Sequence, residues 1–307
     1  MAPSSTSDEP PQVPPGRHLE LPGRGTIFFR ESPGPPGAPT LILLHAFAAT
    51  AGLNWFTAFG PLRKHFHIVA PDHRGHGRGL RGGGRFQLED CADDVAALAG
   101  ELGIRDALIG GYSMGGPIAQ LLWRRHRPLV RGLVLAATCY RFLHGWQARL
   151  LVSNTAGALA QVTRLAEVAS AVPIAGLRLL FPTQVRTSGS LGAWGAAEIR
   201  RHSIRAVLES GLAIGNYNAE EWIGTIDVPT AVVLTTLDRA VPPIWQLRLA
   251  RAIPDATLHT IAEGHVACGH ALFGQVFAEA CREVAARAGM DLPAAERAPG
   301  FARATVA

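Results

Sequence analysis

Short, continuous apolar runs recur along the chain and predict buried strands. Each run is bounded by turn-forming or polar residues, as in the Thr-Leu-Ile-Leu-Leu segment at 40–44. An unbroken apolar run of this length is typical of a strand covered on both faces, as in a parallel sheet. The predicted strands of this type are 40–44, 67–70, 107–109, 132–136 and 230–234, and a further strand is expected at 257–261.

Helical patterns separate these runs, and the alternation predicts an α/β fold with a mostly parallel, doubly wound sheet. A hairpin is expected before the alternation begins, with strands at 18–21 and 26–30 joined by Pro-Gly-Arg-Gly. The predicted helices of the core are 54–65, 88–102, 116–126, 244–252 and 269–287.

The alternation stops between about residues 139 and 225, where the chain is helix-like and has no clear buried strand. Segments 150–171 and 193–215 carry apolar residues at spacings near three and four. Because ligands bind beyond the carboxyl ends of parallel strands and this insertion follows one, we expect a helical cap, or lid, rather than additional packing. The predicted organisation is a flexible leader at 1–16, a core at 17–138 and 226–287, the cap at 139–225, and a flexible tail at 288–307.

Composition and charge narrow the function classes. The formal net charge is +5, from 29 Lys+Arg against 24 Asp+Glu, without any run of five like charges, which disfavours nucleic acid as a partner. The N-terminus lacks a basic, then apolar, secretory pattern. No apolar stretch reaches the roughly 18 residues needed to cross a bilayer. We expect a cytoplasmic protein without an integral membrane segment; peripheral membrane contact and oligomeric state stay open.

The four cysteines support a reducing compartment. Cys91, Cys139, Cys268 and Cys281 lie far apart in the sequence and form no Cys-x-x-Cys pair. Neither a disulfide framework nor a zinc site is indicated by this spacing. We expect reduced and mostly buried thiols.

Chemistry is concentrated in the segment 111–115, Gly-Tyr-Ser-Met-Gly, which follows a predicted strand and precedes a predicted helix. A serine on a tight strand-to-helix turn needs small neighbours at both glycine positions. The hydroxyl of Ser113 then projects from the edge of the sheet. The amide of Met114 points to the same place, where the helix N-terminus adds positive potential for an oxyanion.

A serine hydroxyl needs an oriented base to act as a nucleophile. Among the 12 histidines, His265 alone combines a position just after a predicted strand with one before the last helix. Asp238 follows another strand and is the predicted acid that orients the imidazole. Asp227 precedes its strand, at the wrong end of the sheet, and Asp255 lies in a Pro-Asp turn. The chain order serine, aspartate, histidine is that of an α/β-hydrolase.

Taken together, five segments resemble the α/β-hydrolase superfamily, and the overall pattern is similar to bacterial esterases and lipases of that fold. These segments follow the family's order and leave only the helical insertion without signatures. They are 44–47 (Leu-His-Ala-Phe), 71–77 (Pro-Asp-His-Arg-Gly-His-Gly), 111–115, 237–242 and 264–265. The resemblance implies that the amide of Phe47 completes the oxyanion hole with that of Met114. Ala46 departs from the glycine that the family usually carries there.

Two further groups of residues invite a functional interpretation. His73 and His76 suggest a metal site, but no third ligand is close in sequence, and the resemblance implies that their loop is structural. Several side chains near the oxyanion loop and in the insertion are candidates either for lining a substrate pocket or for plain packing. The pocket candidates are Asn54, Trp55, Tyr112 and Trp146, with Trp194, Tyr217 and Trp222 as further aromatic residues.

The resemblance implies a serine hydrolase that cleaves a carboxylic ester of an apolar small molecule or lipid through an acyl-enzyme. No cofactor or metal is implied. A serine at this position, rather than an aspartate, disfavours dehalogenase and epoxide-hydrolase chemistry. Thioesterase, carbon-carbon bond hydrolase and perhydrolase activities use the same three residues and stay open. A non-catalytic small-molecule receptor on the same fold is the alternative from another class.

Overall fold

The core of the molecule is an eight-stranded sheet with the order β1-β2-β4-β3-β5-β6-β7-β8. The computed structural model describes residues 11–82, 84–142 and 190–293. β1 and β2 form the predicted antiparallel hairpin, and β3 to β8 pair in parallel, which confirms the predicted fold class. The strands are β1 Gly16–Leu21, β2 Gly25–Ser32, β3 Thr40–Leu44, β4 His67–Pro71, β5 Ala107–Tyr112, β6 Val130–Ala136, β7 Thr230–Thr235 and β8 Thr257–Ile261.

Helices cover both faces of the sheet. Those of the described ranges are α1 Ala51–Trp55, α2 Phe59–Leu62, α3 Leu88–Glu101, α4 Gly115–Arg125, α5 Ser190–Ile199, α6 Ile204–Asn216, α7 Pro243–Ala252 and α8 Ala271–Arg287. Alternate residues of one strand enter opposite layers: Ile109 packs with α3 and α4, and Leu108 packs with α1, α2 and α8. The continuous apolar runs therefore reflect burial on both sides.

One predicted helix, 54–65, is wrong as a single element. The chain forms α1 and α2 instead, separated by a turn at 56–58. In this turn the hydroxyl of Thr57 donates to the Cys268 carbonyl at 2.7 Å. A side chain at Gly274 would overlap the Thr57 carbonyl, so α8 approaches the turn closely. The break is thus set by tertiary contacts with α8 that the local pattern does not contain.

The described part of the insertion contains α5 and α6. Ser203 caps α6, and its side chain accepts a hydrogen bond from the Ala206 amide. The predicted helix at 150–171 lies outside the described residues, and the predicted domain boundaries stay a prediction. The cysteines are free, and three of them are buried, as expected; Cys268 is partly exposed. None of the helices in the described ranges is long and apolar enough to cross a membrane.

Candidate active site

Ser113 lies in a sharp turn between β5 and α4. Its φ of 51° is in the left-handed region, which residues other than glycine rarely adopt. The turn is fixed to the end of β6, because the Ser113 amide donates to the Ala136 carbonyl at 2.9 Å and the Thr138 hydroxyl donates to the Ser113 carbonyl at 2.8 Å. A side chain at Gly115 would overlap the Leu44 carbonyl. The turn therefore requires the small residue found there.

The side chains of Ser113, His265 and Asp238 form a continuous hydrogen-bonded chain. Ser113 Oγ lies 3.0 Å from His265 Nε2, and His265 Nδ1 lies 2.8 Å from Asp238 Oδ2. A carboxylate only accepts hydrogen bonds, so the proton of the neutral imidazole is on Nδ1. Nε2 is then free to accept the hydroxyl hydrogen of Ser113. The structure thus brings together the three residues that the sequence singled out.

Asp238 is held as a carboxylate. Burial alone raises the pKa of this group, but the hydrogen bond and charge of His265, the Val241 amide and the Thr235 hydroxyl together lower the pKa below its usual value. Its Oδ1 accepts from the amides of Ala240 and Val241, each at 2.9 Å. Its Oδ2 accepts from the Thr235 hydroxyl at 2.8 Å. The carboxylate is therefore oriented by at least four donors, one of which is the histidine.

Gln246 is a supporting residue that sequence reasoning missed. It is fully buried on α7. Its Nε2 donates to the Thr235 hydroxyl at 2.9 Å and to the Val241 carbonyl at 2.7 Å, while its Oε1 accepts from the Thr235 amide at 3.1 Å. The side-chain amide of Gln246 thus forms hydrogen bonds at both ends of the loop that carries Asp238, at Thr235 and at Val241. A single glutamine on an amphipathic helix gives no signal in the sequence that separates it from an exposed one.

Ala46, which precedes Phe47, is held by hydrogen bonds at both its amide and its carbonyl. The Ala46 amide donates to Asn54 Oδ1 at 3.0 Å. His45 Nε2 accepts from the His73 amide at 2.9 Å, so Nδ1 carries the proton and donates to the Ala46 carbonyl at 2.8 Å. Because the peptide bond between Ala46 and Phe47 is trans, the Phe47 N–H points opposite to the Ala46 carbonyl. The Phe47 amide is therefore directed away from the ring of His45.

Behind this loop, His45, His73 and His76 form a buried cluster. The ring centroid of His45 lies 4.2 Å from that of His73 and 5.6 Å from that of His76. Burial lowers the pKa of His73 to about 3 and that of His76 to about 3, and it lowers the pKa of His45 well below its usual value. In the described part of the chain, no group of three or more His, Cys, Asp or Glu is arranged to hold a metal ion.

Three of the four candidates for a substrate pocket, Asn54, Trp55 and Tyr112, are buried in the described part of the chain. Trp55 and Tyr112 are fully buried, with ring centroids 6.2 Å apart, and Trp55 also packs 4.9 Å from the Phe277 ring. The Tyr112 hydroxyl donates to the His265 carbonyl at 2.9 Å. Asn54 contacts the Ala46 amide, as described above. Trp146 lies outside the described residues, and a pocket role for these four stays a prediction.

Comparison with known proteins agrees with this architecture. A family model described as the α/β-hydrolase fold matches residues 39–164. Over these residues the chain is similar to the α/β-hydrolase family, and its sheet and helices have the α/β-hydrolase fold. A hydrolase from Pseudomonas aeruginosa has the same fold, with a TM-score of 0.69 at 22% identity over 88% of this chain and 97% of the other.

Two relatives indicate the range of chemistry among proteins that are similar in sequence to this chain. A putative carbamate hydrolase, RutD, from Caulobacter sp. (strain K31) is 25% identical over 76% of this chain and 85% of its own length. A pimeloyl-[acyl-carrier protein] methyl ester esterase from Sodalis glossinidius is 37% identical, over 34% of this chain and 39% of its own. Both are hydrolases by name, and they differ in the bond that they cleave. The comparisons therefore support a hydrolase and leave the substrate to other arguments.

Proposed function

We propose that this protein is a serine hydrolase that cleaves a carboxylic ester of an apolar small molecule or lipid through an acyl-enzyme intermediate. The observation that carries the proposal is the chain from Ser113 Oγ to His265 Nε2 at 3.0 Å and from His265 Nδ1 to Asp238 Oδ2 at 2.8 Å. A serine activated in this way is the arrangement that acyl transfer needs. A relative that is an ester esterase by name supports this reaction class.

In the proposed first half-reaction, Ser113 Oγ attacks the ester carbonyl and gives its proton to His265 Nε2. The Asp238 carboxylate stabilises the imidazolium. When the tetrahedral intermediate collapses, the carbon-oxygen bond to the alcohol breaks and the alcohol leaves with the proton of His265. In the second half, His265 takes a proton from water, the hydroxide attacks the acyl-enzyme, and Ser113 recovers its hydrogen as the acid leaves.

The oxyanion of both tetrahedral intermediates is proposed to accept from the amides of Met114 and Phe47. Met114 is the N-cap residue of α4 and follows Ser113 directly, so its amide lies at the positive end of the helix. The Phe47 amide is oriented by the hydrogen bond from His45 to the Ala46 carbonyl. Donors fixed before the reaction stabilise developing charge without reorganising.

An apolar substrate is supported by two exposed hydrophobic side chains next to the reacting groups. Leu237, which precedes Asp238, is 64% exposed, and Val266, which follows His265, is 61% exposed. Their loops are joined, because the Leu237 amide donates to the Glu263 carbonyl at 3.0 Å. The proposal includes a cap formed by residues 139–225 and a cytoplasmic location, which the free cysteines support.

The test uses p-nitrophenyl esters of increasing acyl length together with a fluorophosphonate probe. We expect ester hydrolysis by the wild type, a loss of about 10⁶-fold in kcat for Ser113→Ala, and labelling that disappears in Ser113→Ala and His265→Ala. Ser32→Ala, which changes a serine of β2, is the matched control and keeps both signals. Absence of hydrolysis and of labelling in the wild type would overturn the proposal. If thioesters of the same acyl group were cleaved faster than the esters, the proposed substrate class would be thioesters instead of carboxylic esters.

A further inference from the structure

Asn54 has one half of its side-chain amide paired and the other half unpaired, in a buried position next to the loop that carries Phe47. It lies near the end of α1, and its Oδ1 accepts from the Ala46 amide at 3.0 Å. Its Nδ2 is buried and has no hydrogen-bond partner in the described part of the chain. A buried donor without an acceptor destabilises the folded state. Stability alone therefore does not account for an asparagine at this position.

The Ala46 amide, which Asn54 holds, begins a tight and strained turn. The Ala49 amide donates to the Ala46 carbonyl at 3.3 Å and closes this turn. Within it, Ala48 has a φ of 50°, in the left-handed region that a residue with a Cβ rarely adopts. A backbone held in this region needs surrounding contacts that fix it. Because Phe47 lies inside the turn, the direction of its amide depends on those contacts.

Asn54 and His45 provide these contacts to the two peptides that flank the Ala46 Cα. Asn54 holds the N–H of the first peptide, and His45 Nδ1 donates to the carbonyl of the second at 2.8 Å. That carbonyl and the Phe47 N–H belong to one planar unit. The loss of either side chain therefore allows the strained turn to relax and the Phe47 N–H to change direction.

Glu198 of α5 fixes the helix that carries Asn54. Its Oε2 accepts from the hydroxyl of Thr50 at 3.0 Å, and both residues are buried. Thr50 is the N-cap of α1, and its Oγ1 also accepts from the Leu53 amide at 3.1 Å. The Asn54 amide donates to the Thr50 carbonyl at 2.9 Å. A displacement of Thr50 is therefore passed to Asn54 within a single helical turn.

We propose that Asn54 is a positioning residue that directs the Phe47 amide at the oxyanion, and that Glu198 sets the position of Asn54 through Thr50. The inference rests on the proposed function, since it concerns the oxyanion hole of that reaction. The unpaired Nδ2 then accompanies a gain in reaction rate, not in stability. A helix of the insertion thus takes part in preorganising the oxyanion hole.

The affinity for a trifluoromethyl alkyl ketone tests this proposal, because the adduct of the ketone places an anion in the oxyanion hole. In the adduct, Ser113 Oγ bonds to the carbonyl carbon, the hydroxyl proton passes to His265 Nε2, and the carbonyl oxygen becomes the anion.

Asn54→Leu keeps nearly the same shape and removes the acceptor. We expect kcat for an aryl ester and the affinity for the ketone each to fall about 10²-fold, with KM nearly unchanged. Its Tm is expected to change little, since an unpaired Ala46 amide replaces the unpaired Nδ2.

Two substitutions of buried carboxylates test the contribution of α5. Glu198→Gln weakens the hydrogen bonds to Thr50 and Arg78, and we expect a fall of about tenfold in kcat and in the affinity for the ketone. Glu209→Gln is the matched control, because Glu209 is a buried carboxylate of α6 that accepts from the Phe86 amide at 2.7 Å; its affinity for the ketone is expected to stay unchanged. Asn54→Leu combined with Glu198→Gln is expected to lose no more affinity than Asn54→Leu alone, since both act on one peptide.

The outcomes separate this inference from the proposed function. If the wild type hydrolyses no ester and forms no adduct with the ketone, the serine-hydrolase proposal fails and this inference fails with it. If the wild type forms the adduct and Asn54→Leu binds the ketone equally well, only this inference is overturned. If Asn54→Leu does not fold, the comparison of Glu198→Gln with Glu209→Gln decides: equal affinities for the ketone overturn the inference.

Discussion

Acidification from pH 7.5 to pH 5 is expected to destabilise this fold through His45, His73 and His76. Burial lowers the pKa of His73 and of His76 to about 3 each, and it lowers that of His45 well below its usual value. In the unfolded chain an imidazole titrates near 6.5. Between these values the unfolded chain binds protons that the folded chain excludes. The free energy of unfolding therefore falls as the pH falls below about 6.5.

The contacts of His76 show why the folded state excludes the proton. Its Nδ1 lies 3.1 Å from the Arg74 carbonyl, so Nδ1 carries the hydrogen. Its Nε2 is buried and has no hydrogen-bond partner in the described part of the chain. Protonation would bury an N–H without an acceptor, close to the charge of Arg81, which also lowers the pKa.

The expected magnitude follows from linkage. Near pH 5 each of the three histidines contributes a slope of about 1.4 kcal/mol per pH unit, or about 4 kcal/mol per pH unit together. Integrated from pH 7.5 to pH 5, the loss is about 2 kcal/mol for each histidine. Because domains are stable by only about 5–15 kcal/mol, most of the stability is expected to be gone near pH 5.

Urea unfolding followed by tryptophan fluorescence, in steps from pH 7.5 to pH 5, measures this slope. His76→Gln removes one of the three groups and is expected to reduce the slope near pH 5 by about one proton. His18→Gln changes an exposed histidine on β1, outside this cluster, and serves as the control. A free energy of unfolding that stays flat between pH 6.5 and pH 5, or equal slopes for His76→Gln and wild type, refutes this reasoning.

Two substitutions test the support of the candidate triad. Asp238→Asn keeps the shape of the side chain but favours the wrong tautomer of His265, so kcat for an aryl ester is expected to fall about 10⁴-fold; a fall of less than tenfold contradicts an orienting role. Gln246→Met leaves buried polar groups of Thr235 and Val241 unpaired. Urea unfolding is expected to report a loss of about 1–3 kcal/mol, and unchanged stability would show that the network does not depend on Gln246.

The positions of these strands were predictable because burial on both faces requires a continuous run of apolar residues in the local sequence. The run at 40–44 coincides with β3, and the run at 230–234 lies within β7, which is buried along its whole length. β5 was predicted too short, at 107–109, because Gly110 and Gly111 are typical of a turn. In the structure both glycines pair with β3 and β6 and continue the strand to Tyr112.

The three residues of the candidate triad were predictable for a different reason. Ser113, Asp238 and His265 each follow a strand, and parallel strands bring their carboxyl ends to one edge of the sheet. Sequence order and strand ends were therefore enough to predict their proximity. Their chemical roles are a proposal that the kinetic experiments test.

What the sequence could not reveal are contacts made across long distances in the chain. The carboxylate of Glu198 on α5 accepts from both terminal nitrogens of Arg78, at 2.9 Å and 3.0 Å, and from the Thr50 hydroxyl at 3.0 Å. His202 lies between α5 and α6, and its Nδ1 accepts from the Gly77 amide at 2.9 Å. Neither pattern has a local signature, since polar residues on helices are usually solvated.

These contacts explain how the loop near the candidate oxyanion hole keeps one conformation. Apolar packing fixes the strands, but the loops after β3 and β4 end in polar backbone that packing cannot orient. In these loops, buried carboxylates orient the backbone. Asp72 accepts from the amides of Ala51 and Arg78 at 2.8 Å and 2.9 Å. Glu198 accepts from the side chains of Thr50 and Arg78 and so connects them. Burial raises the pKa of Asp72, so these bonds offset a real cost of desolvation. Because Glu198 belongs to α5, the position of that helix and the geometry of the loop that carries Phe47 depend on the same hydrogen bonds.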